Sequence, residues 1–491
     1  MGYSVHRLEP LFNPRSIAVI GASRNPKKAG YIVLKNLVDN IRTYGYGFKV
    51  YPINPYAESI LGVRTYSSIT RIEDEVDLAV IVVPAEKVPS VLEECGEKGV
   101  KVAIILSAGF SEVGNIELEE EVKRIGNKYG LRILGPNCLG VYDSYSGVDT
   151  IFLPCSKVLP DGRALTSLPR PRRGGISLIS QSGAVGVAVL DYMASEGIGI
   201  SKFISYGNKV DIDETDILEY LLYDDSTRVI MMYIENIERG RRFIEVAREV
   251  SKRKPIVVLK AGRTPSGARA VLSHTAAIAG VDKIYEAAFR MCGILRVYTL
   301  EDLMDSSKAL AYQPPAKGNN IAILTDGGGA GVIASDEAET LGLKLAKLDE
   351  KTKHEFKKLK SNGAIVDFAI TENPVDLTGS ATIEMYEICL QLLLEDPNVD
   401  GVILIVLHHV PLIVDIEDLV HRCSKLIKEY GKPTTVGTIG GSEMAVLLRR
   451  MFNEKSIPAY TSPERACRAL AQLVKYGLYL KTLSSIPSFH R

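Results

Sequence analysis

Short runs rich in β-branched residues alternate with longer amphipathic stretches along the whole chain. Strands and helices that alternate in this way form parallel sheets, because each parallel strand needs a crossover connection, which is usually a helix. A chain of 491 residues is too long for a single hydrophobic core, so roughly two to four domains are expected. The pattern therefore predicts an α/β protein built from several doubly wound parallel sheets.

Five strand-like runs form the first block, and each ends in small, proline or polar residues. They are SIAVIGAS (16–23), KVYPINP (49–55), LAVIVVP (78–84), KVAIILSAG (101–109) and RILGPN (132–137). Strand ends of this composition line the crevice in which doubly wound domains bind their ligands. We therefore expect residues 1–142 to form one domain, with its binding site at the carboxyl ends of these strands.

Two proline-rich stretches divide the remainder of the chain. Residues 143–175 are rich in Pro, Gly and Arg and are interpreted as a linker, although docking against a partner or an anionic ligand stays open. Residues 313–320, QPPAKGNN, form a second linker, because adjacent prolines cannot continue a helix. The sequence thus predicts a second doubly wound domain over 176–312 and a third over 321–491.

Composition argues against several classes of function. The chain carries 59 basic and 59 acidic residues, so no surface field of one sign favours nucleic acid. The 7 cysteines form no C-x-x-C pair, which argues against a zinc site and fits a reducing compartment. No apolar run is long enough to cross a bilayer, so the chain is interpreted as cytoplasmic, without a metal site or a membrane partner.

A glycine turn, GASRNPKKAG (21–30), follows the first strand and leads into a helix. Unpaired N–H groups at such a helix start, with Lys27 and Lys28 beside them, suit a diphosphate. The dinucleotide fingerprint is incomplete, since Ser23 replaces its second glycine, and Asn54 stands where an NAD site usually has an acid. A nucleotide-like ligand other than NAD is favoured, and a tight turn without ligand is the alternative.

Two further strand-to-helix turns, SQSGAVG (180–186) and TDGGGAG (325–331), are rich in small residues. Each could aim the N–H groups of a helix start at an anion such as phosphate. Ser and Gly are also good helix caps in their own right, so each turn alone is a weak signal. The candidate phosphate ligands are Ser180, Ser182, Gly183, Gly328 and Gly329.

His274 is the most specific chemical candidate. It is one of seven histidines and lies in RTPSGARAVLSHTAAIAG (263–280), interpreted as a loop whose small residues allow a ligand to approach. Imidazole is a competent nucleophile near neutral pH, and a phosphoryl group suits it where helix starts can hold that group. Glu235, at a strand end in the same domain, could hold one ring nitrogen. A structural histidine and a solvent-exposed glutamate are the alternatives, and His408 and His409 are interpreted as strand-end residues.

Taken together, the motifs resemble the family of ADP-forming acetyl-CoA synthetases, which is related to succinyl-CoA synthetase. The matching motifs stand in family order over nearly the whole chain: GAS, VVPAEKVPSVLEECGEKGVK, SAGF, LGPNCLGV, SQSGAVG, YGNKVDID, SHTAAIAG and DGGGAG. The resemblance implies a Rossmann-like CoA-binding domain followed by two flavodoxin-like domains of the succinyl-CoA-synthetase type. It implies that CoA is bound by Gly21, Ser23, Lys28, Pro84, Ser107, Gly109 and Asn137.

The same resemblance implies a mechanism. His274 would accept a phosphoryl group from an acyl phosphate, Glu235 would steady the imidazole, and the two small-residue helix starts would cradle the phosphate. The reaction would be acyl-CoA + phosphate + ADP = acid + CoA + ATP. Asp326 departs from the family pattern, which has Asn before the glycines, and an added negative charge beside phosphate is unfavourable unless it is paired or points away.

A partner subunit is also implied. The family needs an ATP-grasp module for ADP or ATP and magnesium, and we expect no stretch of this chain to house one. A separate β subunit in a heterotetramer is therefore expected, with an acyl-CoA and a carboxylic acid as small-molecule partners. Open alternatives are a succinyl-CoA-synthetase-type ligase for another acid, a non-catalytic CoA sensor, and an NAD-binding regulator or dehydrogenase.

Overall fold

The structure is a computed structural model that describes residues 7–275 and 281–485, with the side chains of residues 272–275 outside the described part. The chain divides into two compact units, Met1–Val297 and Tyr298–Arg491. The first unit contains two parallel sheets and the second unit contains a third. The α/β class and the doubly wound sheets expected from the sequence are confirmed.

The first sheet follows the five strand-like runs of the sequence. The strands of this block are β1 (Ser16–Ile20), β2 (Lys49–Ile53), β3 (Ser59–Ile60), β4 (Val63–Arg64), β5 (Leu78–Ile81), β6 (Val102–Ile105) and β7 (Arg132–Leu134). Its helices are α1 (Glu9–Phe12), α2 (Ala29–Tyr44), α3 (Val88–Lys98) and α4 (Ile116–Tyr129), with 3-10 turns at Ile69–Arg71, Ala85–Lys87 and Ser111–Val113. Five strands pair in parallel in the order β2–β1–β5–β6–β7, and β3 and β4 form a short antiparallel hairpin.

Burial explains why these elements form where they do. The residues of β1, β5 and β6 are all buried, as expected of parallel strands covered by helices on both faces. Helices α2, α3 and α4 end at Gly45, Gly99 and Gly130, which adopt the left-handed conformation that stops a helix. The strand order reverses between β1 and β5, so the ligand crevice expected in such a sheet opens at their carboxyl ends.

The second sheet also lies in the first unit. The strands of this block are β8 (Gly140–Asp143), β9 (Ser156–Val158), β10 (Ala164–Thr166), β11 (Arg173–Ser180), β12 (Ile200–Ser205), β13 (Val229–Ile234), β14 (Ile256–Lys260) and β15 (Leu295–Val297). The helices are α5 (Gly183–Ser195), α6 (Glu214–Leu222), α7 (Gly240–Ser251), α8 (Pro265–Thr275) and α9 (Asp282–Cys292). The strand order is β15–β14–β13–β11–β12–β8, and β8 alone is antiparallel to its neighbour.

The stretch 143–175, interpreted as a linker, contains regular structure. β8 spans its beginning and pairs with β12, so the edge of the second sheet comes from residues that the sequence placed largely in the first domain. β9 and β10 form an exposed antiparallel hairpin within the same stretch. Short strands among Pro, Gly and Arg residues carry too little periodicity to be recognised from sequence.

The residues around His274 form a helix where the sequence was interpreted as a loop. α8 runs from Pro265 to Thr275, and Thr264 Oγ1 accepts the N–H of Gly267 at 3.1 Å at its start. Proline is favoured in the first turn of a helix, and the Ala, Arg and Leu residues that follow are good helix formers. Local helix propensity therefore outweighed the small-residue composition that suggested a loop.

The third sheet occupies the second unit. Its strands are β16 (Asn320–Thr325), β17 (Lys344–Leu345), β18 (Val375–Asp376), β19 (Gly401–Val406), β20 (Thr434–Thr438) and β21 (Ala459–Tyr460). The helices are α10 (Leu300–Tyr312), α11 (Gly328–Thr340), α12 (Glu350–Ser361), α13 (Ile383–Glu395), α14 (Ile416–Tyr430), α15 (Glu443–Glu454) and α16 (Pro463–Ser485), with a 3-10 turn at Thr378–Ser380. The strand order is β17–β16–β19–β20–β21, with β18 also pairing with β16.

Helix α10 belongs to the second unit, whereas the sequence placed it in the second domain. It packs against α16, where Arg465 Nε lies 2.7 Å from Asp305 Oδ2. The hydroxyl of Tyr460 also donates to the carbonyl oxygen of Asp305 at 2.8 Å. These partners lie more than 150 residues along the chain, which a local pattern cannot reveal.

Three sheets in the chain share one strand order, in which the third strand of the parallel set lies beside the first. This repetition places the turns after β1, β11 and β16 at the switch point of their own sheets. In the described residues, no helix is both long and apolar enough to span a membrane.

Candidate functional site

The turn after β1 is built for close approach of backbone groups. A Cβ added to Gly21 would lie 2.3 Å from the carbonyl oxygen of Val82, and one added to Gly30 would lie 2.1 Å from the carbonyl oxygen of Gly21. Gly21 has a φ of +92°, in the region that favours glycine. Larger side chains would push α2 away from β1, so these glycines keep the first N–H groups of α2 beside the crevice.

Ser23, Lys28 and Asn54 surround the same turn. The Ser23 hydroxyl accepts the N–H of Asn25 at 3.1 Å. Lys28 is the exposed N-cap residue of α2 and provides no side-chain cap, so its ammonium is available to an anion at the helix start. Asn54 Nδ2 donates to the carbonyl oxygen of Ala22 at 2.7 Å, which commits this side chain to the turn itself.

The loops after β5, β6 and β7 are hydrogen-bonded to one another. The Ser107 hydroxyl donates to the carbonyl oxygen of Val83, the residue before Pro84. The N–H of Asn137 donates to the carbonyl oxygen of Ser107 at 2.9 Å. Gly109 has a φ of +118°, which a side chain rarely adopts. Pro84, Ser107, Gly109 and Asn137 therefore lie together at the carboxyl edge of the first sheet.

Glu112 occupies N–H groups of this edge, and the sequence analysis did not single it out. Its Oε1 accepts the N–H of Gly109 at 2.6 Å and that of Phe110 at 3.2 Å. Burial raises the pKa of Glu112, but the Gly109 N–H and the side-chain amide of Asn208 outweigh burial and lower the pKa below its usual value. A negative charge is thus held within the loop that carries Gly109.

The start of α5 presents N–H groups at the carboxyl end of β11. Ser182 is the N-cap residue, and its hydroxyl accepts the N–H of Val185 at 3.4 Å. The Ser180 hydroxyl donates to the carbonyl oxygen of Ser182 at 2.6 Å. The first N–H groups of a helix, here from Gly183 onward, lack intrahelical acceptors and suit an anion. A Cβ at Gly183 would lie 2.9 Å from Cγ of Leu139, so glycine also allows tight packing here.

Glu235 is a buried carboxylate, and one of its oxygens has no hydrogen-bond donor among the described residues. It follows β13 directly and is 3% exposed. Its N–H donates to Gln181 Oε1 at 2.8 Å, and its Oε1 accepts the Tyr233 hydroxyl at 3.4 Å. Within residues 7–275 and 281–485, no group bonds its Oε2. A buried oxygen without a donor is unfavourable, so this atom is suited to receive the N–H of an imidazole.

Gln181 joins Glu235 to the start of α5. It lies between Ser180 and Ser182 and is 6% exposed. Its Oε1 accepts the N–H of Glu235, and its Nε2 donates to Asn236 Oδ1 at 2.8 Å. The only sequence signal for this residue was its place inside the SQSGAVG motif. One side chain therefore couples the start of α5 to the loop that carries Glu235.

Two more ionisable groups are buried near Glu235. Burial, followed by the charges of Glu214 and Glu235, raises the pKa of Tyr206 well above its ordinary value. Burial also raises the pKa of Glu214 to about 7, although the Lys209 ammonium lies 3.3 Å from its Oε2 and opposes the shift. Tyr206 is therefore a neutral phenol at physiological pH, and Glu214 titrates near neutrality.

The helix that bears His274 lies beside the first domain. α8 carries His274 in its last turn, and its backbone contacts the 3-10 turn Ser111–Val113, which follows Gly109 by two residues. The side chain of His274 and residues 276–280 lie outside the described residues. The described backbone thus brings the helix of His274 next to the loop that carries Gly109.

The start of α11 in the second unit is more crowded by charge. The N-cap residue is Gly327, which offers no side-chain cap. A Cβ at Gly328 would lie 2.9 Å from Asp376 Oδ2, whereas one at Gly329 would meet nothing within 4 Å. Gly329 is therefore the open position of this turn.

Asp326 is paired rather than free. It is 3% exposed, and its Oδ1 accepts the N–H of Leu407 at 3.1 Å. Burial raises the pKa of Asp326 to about 7, because the Leu407 N–H only partly offsets burial and the Asp376 charge adds to it. The acid is thus largely uncharged below neutral pH, which limits its repulsion of an anion.

His408 has a structural environment at the end of β19. Its Nε2 lies 2.8 Å from the Ser442 hydroxyl, and its ring centroid lies 3.9 Å from that of His409. Burial lowers the pKa of His408, and the neighbouring His409 and Arg449 lower it further. These contacts lie at the end of the strand, where the sequence analysis placed His408.

A cleft of about 1840 Å³ lies elsewhere, lined by residues such as Arg132, Asp216, Arg239 and Arg242. None of the predicted site residues lines it. Two of its arginines already bind a carboxylate: Arg239 and Arg242 both contact Asp216, at 2.6 and 2.8 Å. We therefore place the candidate site at the carboxyl ends of the sheets. The described side chains include no group of three that could hold a metal ion.

Three family models match successive parts of the chain. Residues 15–144 match a CoA binding domain, residues 173–310 a succinyl-CoA ligase like flavodoxin domain, and residues 321–477 a ligase-CoA domain. The three matched ranges follow the three sheets in order.

Individual relatives are similar over almost the whole chain. The alpha subunit of acetate–CoA ligase [ADP-forming] I from Pyrococcus furiosus is 44% identical, covering 96% of this chain and 98% of its own. The acetate–CoA ligase [ADP-forming] of Methanocaldococcus jannaschii is 41% identical over 96% of this chain but only 64% of its own length. The dinucleotide-forming acetyl-coenzyme A synthetase 1 of Ca. Korarchaeum cryptofilum, solved with phosphate and ADP, is 40% identical with a TM-score of 0.87, covering 98% of this chain and 99% of that one.

Proposed function

Since the chain belongs to the family of ADP-forming acetate–CoA ligases, we propose that it is the CoA-binding, phosphohistidine-carrying subunit of an ADP-forming acyl-CoA synthetase. Its reaction is acyl-CoA + phosphate + ADP = acid + CoA + ATP, with acetyl-CoA as the preferred acyl donor. The observation that carries this proposal is the match of the whole chain to an alpha subunit of that activity. We expect the protein to act in the cytoplasm.

The first half of the reaction breaks the thioester. A phosphate oxygen attacks the acyl carbon, the acyl phosphate forms, and CoA leaves as a thiol with the proton that phosphate gives up. Gly21, Ser23 and Lys28 bind the diphosphate of CoA at the start of α2, where N–H groups and an ammonium converge. A second set at the same edge of the sheet places the thioester: Pro84, Ser107, Gly109 and Asn137.

The second half moves the phosphoryl group through His274. The imidazole attacks the phosphorus of the acyl phosphate, the P–O bond to the acyl oxygen breaks, and the carboxylic acid leaves. Glu235 Oε2 accepts the N–H of one ring nitrogen, which leaves the other nitrogen free to attack. The N–H groups at the start of α5, capped by Ser182 and supported by Ser180, neutralise the phosphoryl oxygens.

ADP then receives the phosphoryl group on a partner subunit. The M. jannaschii relative is a single chain of which this chain spans 64%, and the P. furiosus relative is called an alpha subunit. We propose that an ATP-grasp β subunit supplies the remaining part, binds ADP and magnesium, and forms a heterotetramer with this chain. We expect Gly328 and Gly329, at the start of α11, to bind phosphate as well.

Phosphate labelling tests the central step. Incubation with acetyl-CoA and radiolabelled phosphate should transfer label to the chain, and the label should be lost in acid, as expected of a phosphohistidine. His274→Ala should remove the label, whereas the matched control His354→Ala, an exposed histidine on α12, should keep it. Equal labelling of His274→Ala and the parent protein would refute the assignment.

The two-subunit proposal has a separate test. The purified chain should make no ATP from acetyl-CoA, phosphate and ADP, and addition of the β subunit should restore synthesis. ATP production by the chain alone would contradict it. A panel of acids with both subunits, including acetate, branched acids and aryl acetates, would then identify the physiological substrate. Binding of CoA without labelling would instead indicate a sensor that has lost turnover.

A further inference from the structure

The segment YGNKVDID (206–213) has no role in the mechanism above, yet its hydrogen bonds connect the first two domains. It follows β12 of the second sheet. The N–H groups of Asn208 and Val210 donate to the carbonyl oxygens of Pro136 and Gly135, both at 3.0 Å. The second domain therefore places a turn against the loop after β7 of the first domain, where Asn137 lies.

The side chain of Asn208 binds two loops of the first domain at once. Its Nδ2 donates to Glu112 Oε2 at 2.7 Å and to Glu119 Oε2 at 2.8 Å, and it lies 3.1 Å from the Ser111 hydroxyl. Its Oδ1 accepts Asn137 Nδ2 at 3.3 Å. Carboxylates can only accept, so they fix which way the Asn208 amide faces and leave its oxygen to Asn137.

Glu112 extends this contact to the CoA-binding edge. The carboxylate that receives the Asn208 amide also receives the N–H of Gly109 at 2.6 Å. Asn208 thus holds Asn137 directly and Gly109 through Glu112. Both are among the residues proposed to bind CoA, and they lie on the loops after β7 and β6, respectively.

Lys209, the next residue, serves the other half of the site. It is buried and has a φ of +53°, an unusual conformation for a residue other than glycine. Its ammonium donates to the carbonyl oxygen of Asn236 at 3.0 Å and lies 3.3 Å from Glu214 Oε2. Asn236 directly follows Glu235, so Lys209 holds the loop that presents the Glu235 carboxylate.

We propose that Asn208 is a positioning residue for the thioester half of the reaction and that Lys209 is a positioning residue for the phosphohistidine half. The proposal rests on the function proposed above and deepens it, because it assigns two adjacent residues to two separable steps. Asn208 acts through Asn137 and Gly109, and Lys209 acts through the loop of Glu235 and Asn236. Neither residue touches the reacting atoms.

The test measures the two half-reactions on the complex with the β subunit. Label from acetyl-CoA and phosphate reports the thioester half, whereas label from γ-labelled ATP reports transfer to the same histidine without CoA. In Asn208→Asp, a carboxylate would face Glu112 and Glu119, so labelling from acetyl-CoA should fall about tenfold or more. Labelling from ATP should change less than about twofold, which also shows that the variant is folded.

Asn208→Ser is the uncharged companion variant. It removes the amide without adding a charge, and we expect the same selective loss of acetyl-CoA-dependent labelling with a higher KM for CoA. Equal loss in both half-reactions would reduce Asn208 to a structural role and overturn the proposal. Unchanged acetyl-CoA-dependent labelling in both variants would overturn it as well.

Lys209→Gln provides the contrast. Because both routes end on the same imidazole, this variant should slow labelling from acetyl-CoA and from ATP by similar factors, about tenfold each. The matched control Lys252→Gln, an exposed lysine after α7, should leave both rates unchanged. A selective loss of only one route in Lys209→Gln would refute its part. Failure of the parent complex to be labelled by either route would refute the proposed function itself, a result distinct from all of these.

Discussion

The starts of α5 and α11 are two versions of one turn. In the second domain the Ser180 hydroxyl donates to the carbonyl oxygen of Ser182, and in the third domain the Thr325 hydroxyl donates to that of Gly327 at 3.2 Å. Each turn follows the first parallel strand of its sheet and opens at the switch point. The backbone pattern and the hydroxyl that stabilises it are therefore shared.

The residues behind the two turns differ in charge. Gln181 Oε1 accepts the N–H of Glu235, the residue after β13, and Asp326 accepts the N–H of Leu407, the residue after β19. The second domain thus combines a neutral amide in the turn with a carboxylate on the neighbouring strand. The third domain combines an acid in the turn with Leu407 after β19 and with the carboxylate of Asp376 on β18.

This difference shows that a glycine-rich helix start does not by itself determine the function of a turn. The N–H groups of the helix are available in both places. Beside the second-domain turn, Glu235 Oε2 is a buried carboxylate oxygen that no described group bonds, and we propose it as the acceptor for an imidazole N–H. Beside the third-domain turn, Asp376 places a carboxylate near Gly328, and its Oδ1 accepts the N–H of Thr378 at 2.8 Å.

Exchanging the strand-end residue should have the largest effect. Glu235→Leu makes the second domain resemble the third at this position, and we expect acetyl-CoA-dependent labelling to slow by about 100-fold, because the imidazole loses the group that orients it. Rapid-quench labelling measures the rate. Glu245→Gln, an exposed carboxylate on α7, is the matched control and should behave like the parent. Near-normal labelling of Glu235→Leu would remove the functional distinction between the two turns.

Exchanging the turn residue should mainly affect stability. Gln181→Glu keeps an acceptor for the Glu235 N–H but loses the donation to Asn236 and buries a second negative charge. We expect unfolding free energy to fall by about 2–3 kcal/mol at pH 8, measured from urea denaturation of the full chain. An unchanged urea midpoint would show that the second domain tolerates the acid that the third domain has.

Asp326→Asn should act in the opposite direction and depend on pH. The unfolded chain releases this proton near pH 4, whereas the folded protein keeps it until about pH 7, so unfolded molecules bind fewer protons in between. The stability of the parent protein therefore declines as pH rises across that window. The variant lacks this decline and should be more stable than the parent at pH 8 but not at pH 4.5.

Urea midpoints of both proteins at half-unit pH steps would measure this effect. The difference between variant and parent should open between about pH 4 and pH 7 and level off above. A constant difference across the whole range would mean that Asp326 titrates normally in the folded state.

The smallest effect is expected at the cap itself. Ser182→Gly gives α5 the N-cap residue that α11 has, and glycine substitutes for serine at this position at a cost of only a few tenths of a kcal/mol. Ser182→Ala should cost about 1 kcal/mol by the same argument. Thermal unfolding of both variants checks the order. A larger loss in Ser182→Gly than in Ser182→Ala would point to a role beyond capping.

Sequence alone predicted the sheets well, because their strands are apolar runs bounded by turn residues. The runs at 16–23, 78–84 and 401–409 contain the observed β1, β5 and β19, and each is followed by a turn at the carboxyl edge of a sheet. Glycines with a required close approach, such as Gly21, also stand out in the sequence. The prediction of these strands was therefore confirmed, because local sequence determines where they begin and end.

Features that depend on distant partners were missed. Asn208 and Gln181 lie in recognised motifs, but their roles come from contacts with residues 54 to 97 positions away, such as Glu235 and Ser111. α10 belongs with α16 for the same reason. The pairing of Asp326 with Leu407 likewise required coordinates, since only the neighbouring strand shows what satisfies that acid.

The antiparallel edge strand β8 determines how this protein can be divided into separately expressed pieces. A fragment that begins at residue 176, where motif boundaries suggest a cut, would lack β8. The edge of β12 that pairs with β8 would then expose a row of unsatisfied backbone groups. The fragment would also remove Asp143 on β8, one of the two carboxylate partners of the Lys202 ammonium, whose side chain is 3% exposed. Such a fragment should aggregate by pairing of other chains with the exposed edge of β12. A fragment that starts before Gly140 would keep β8, which covers this edge.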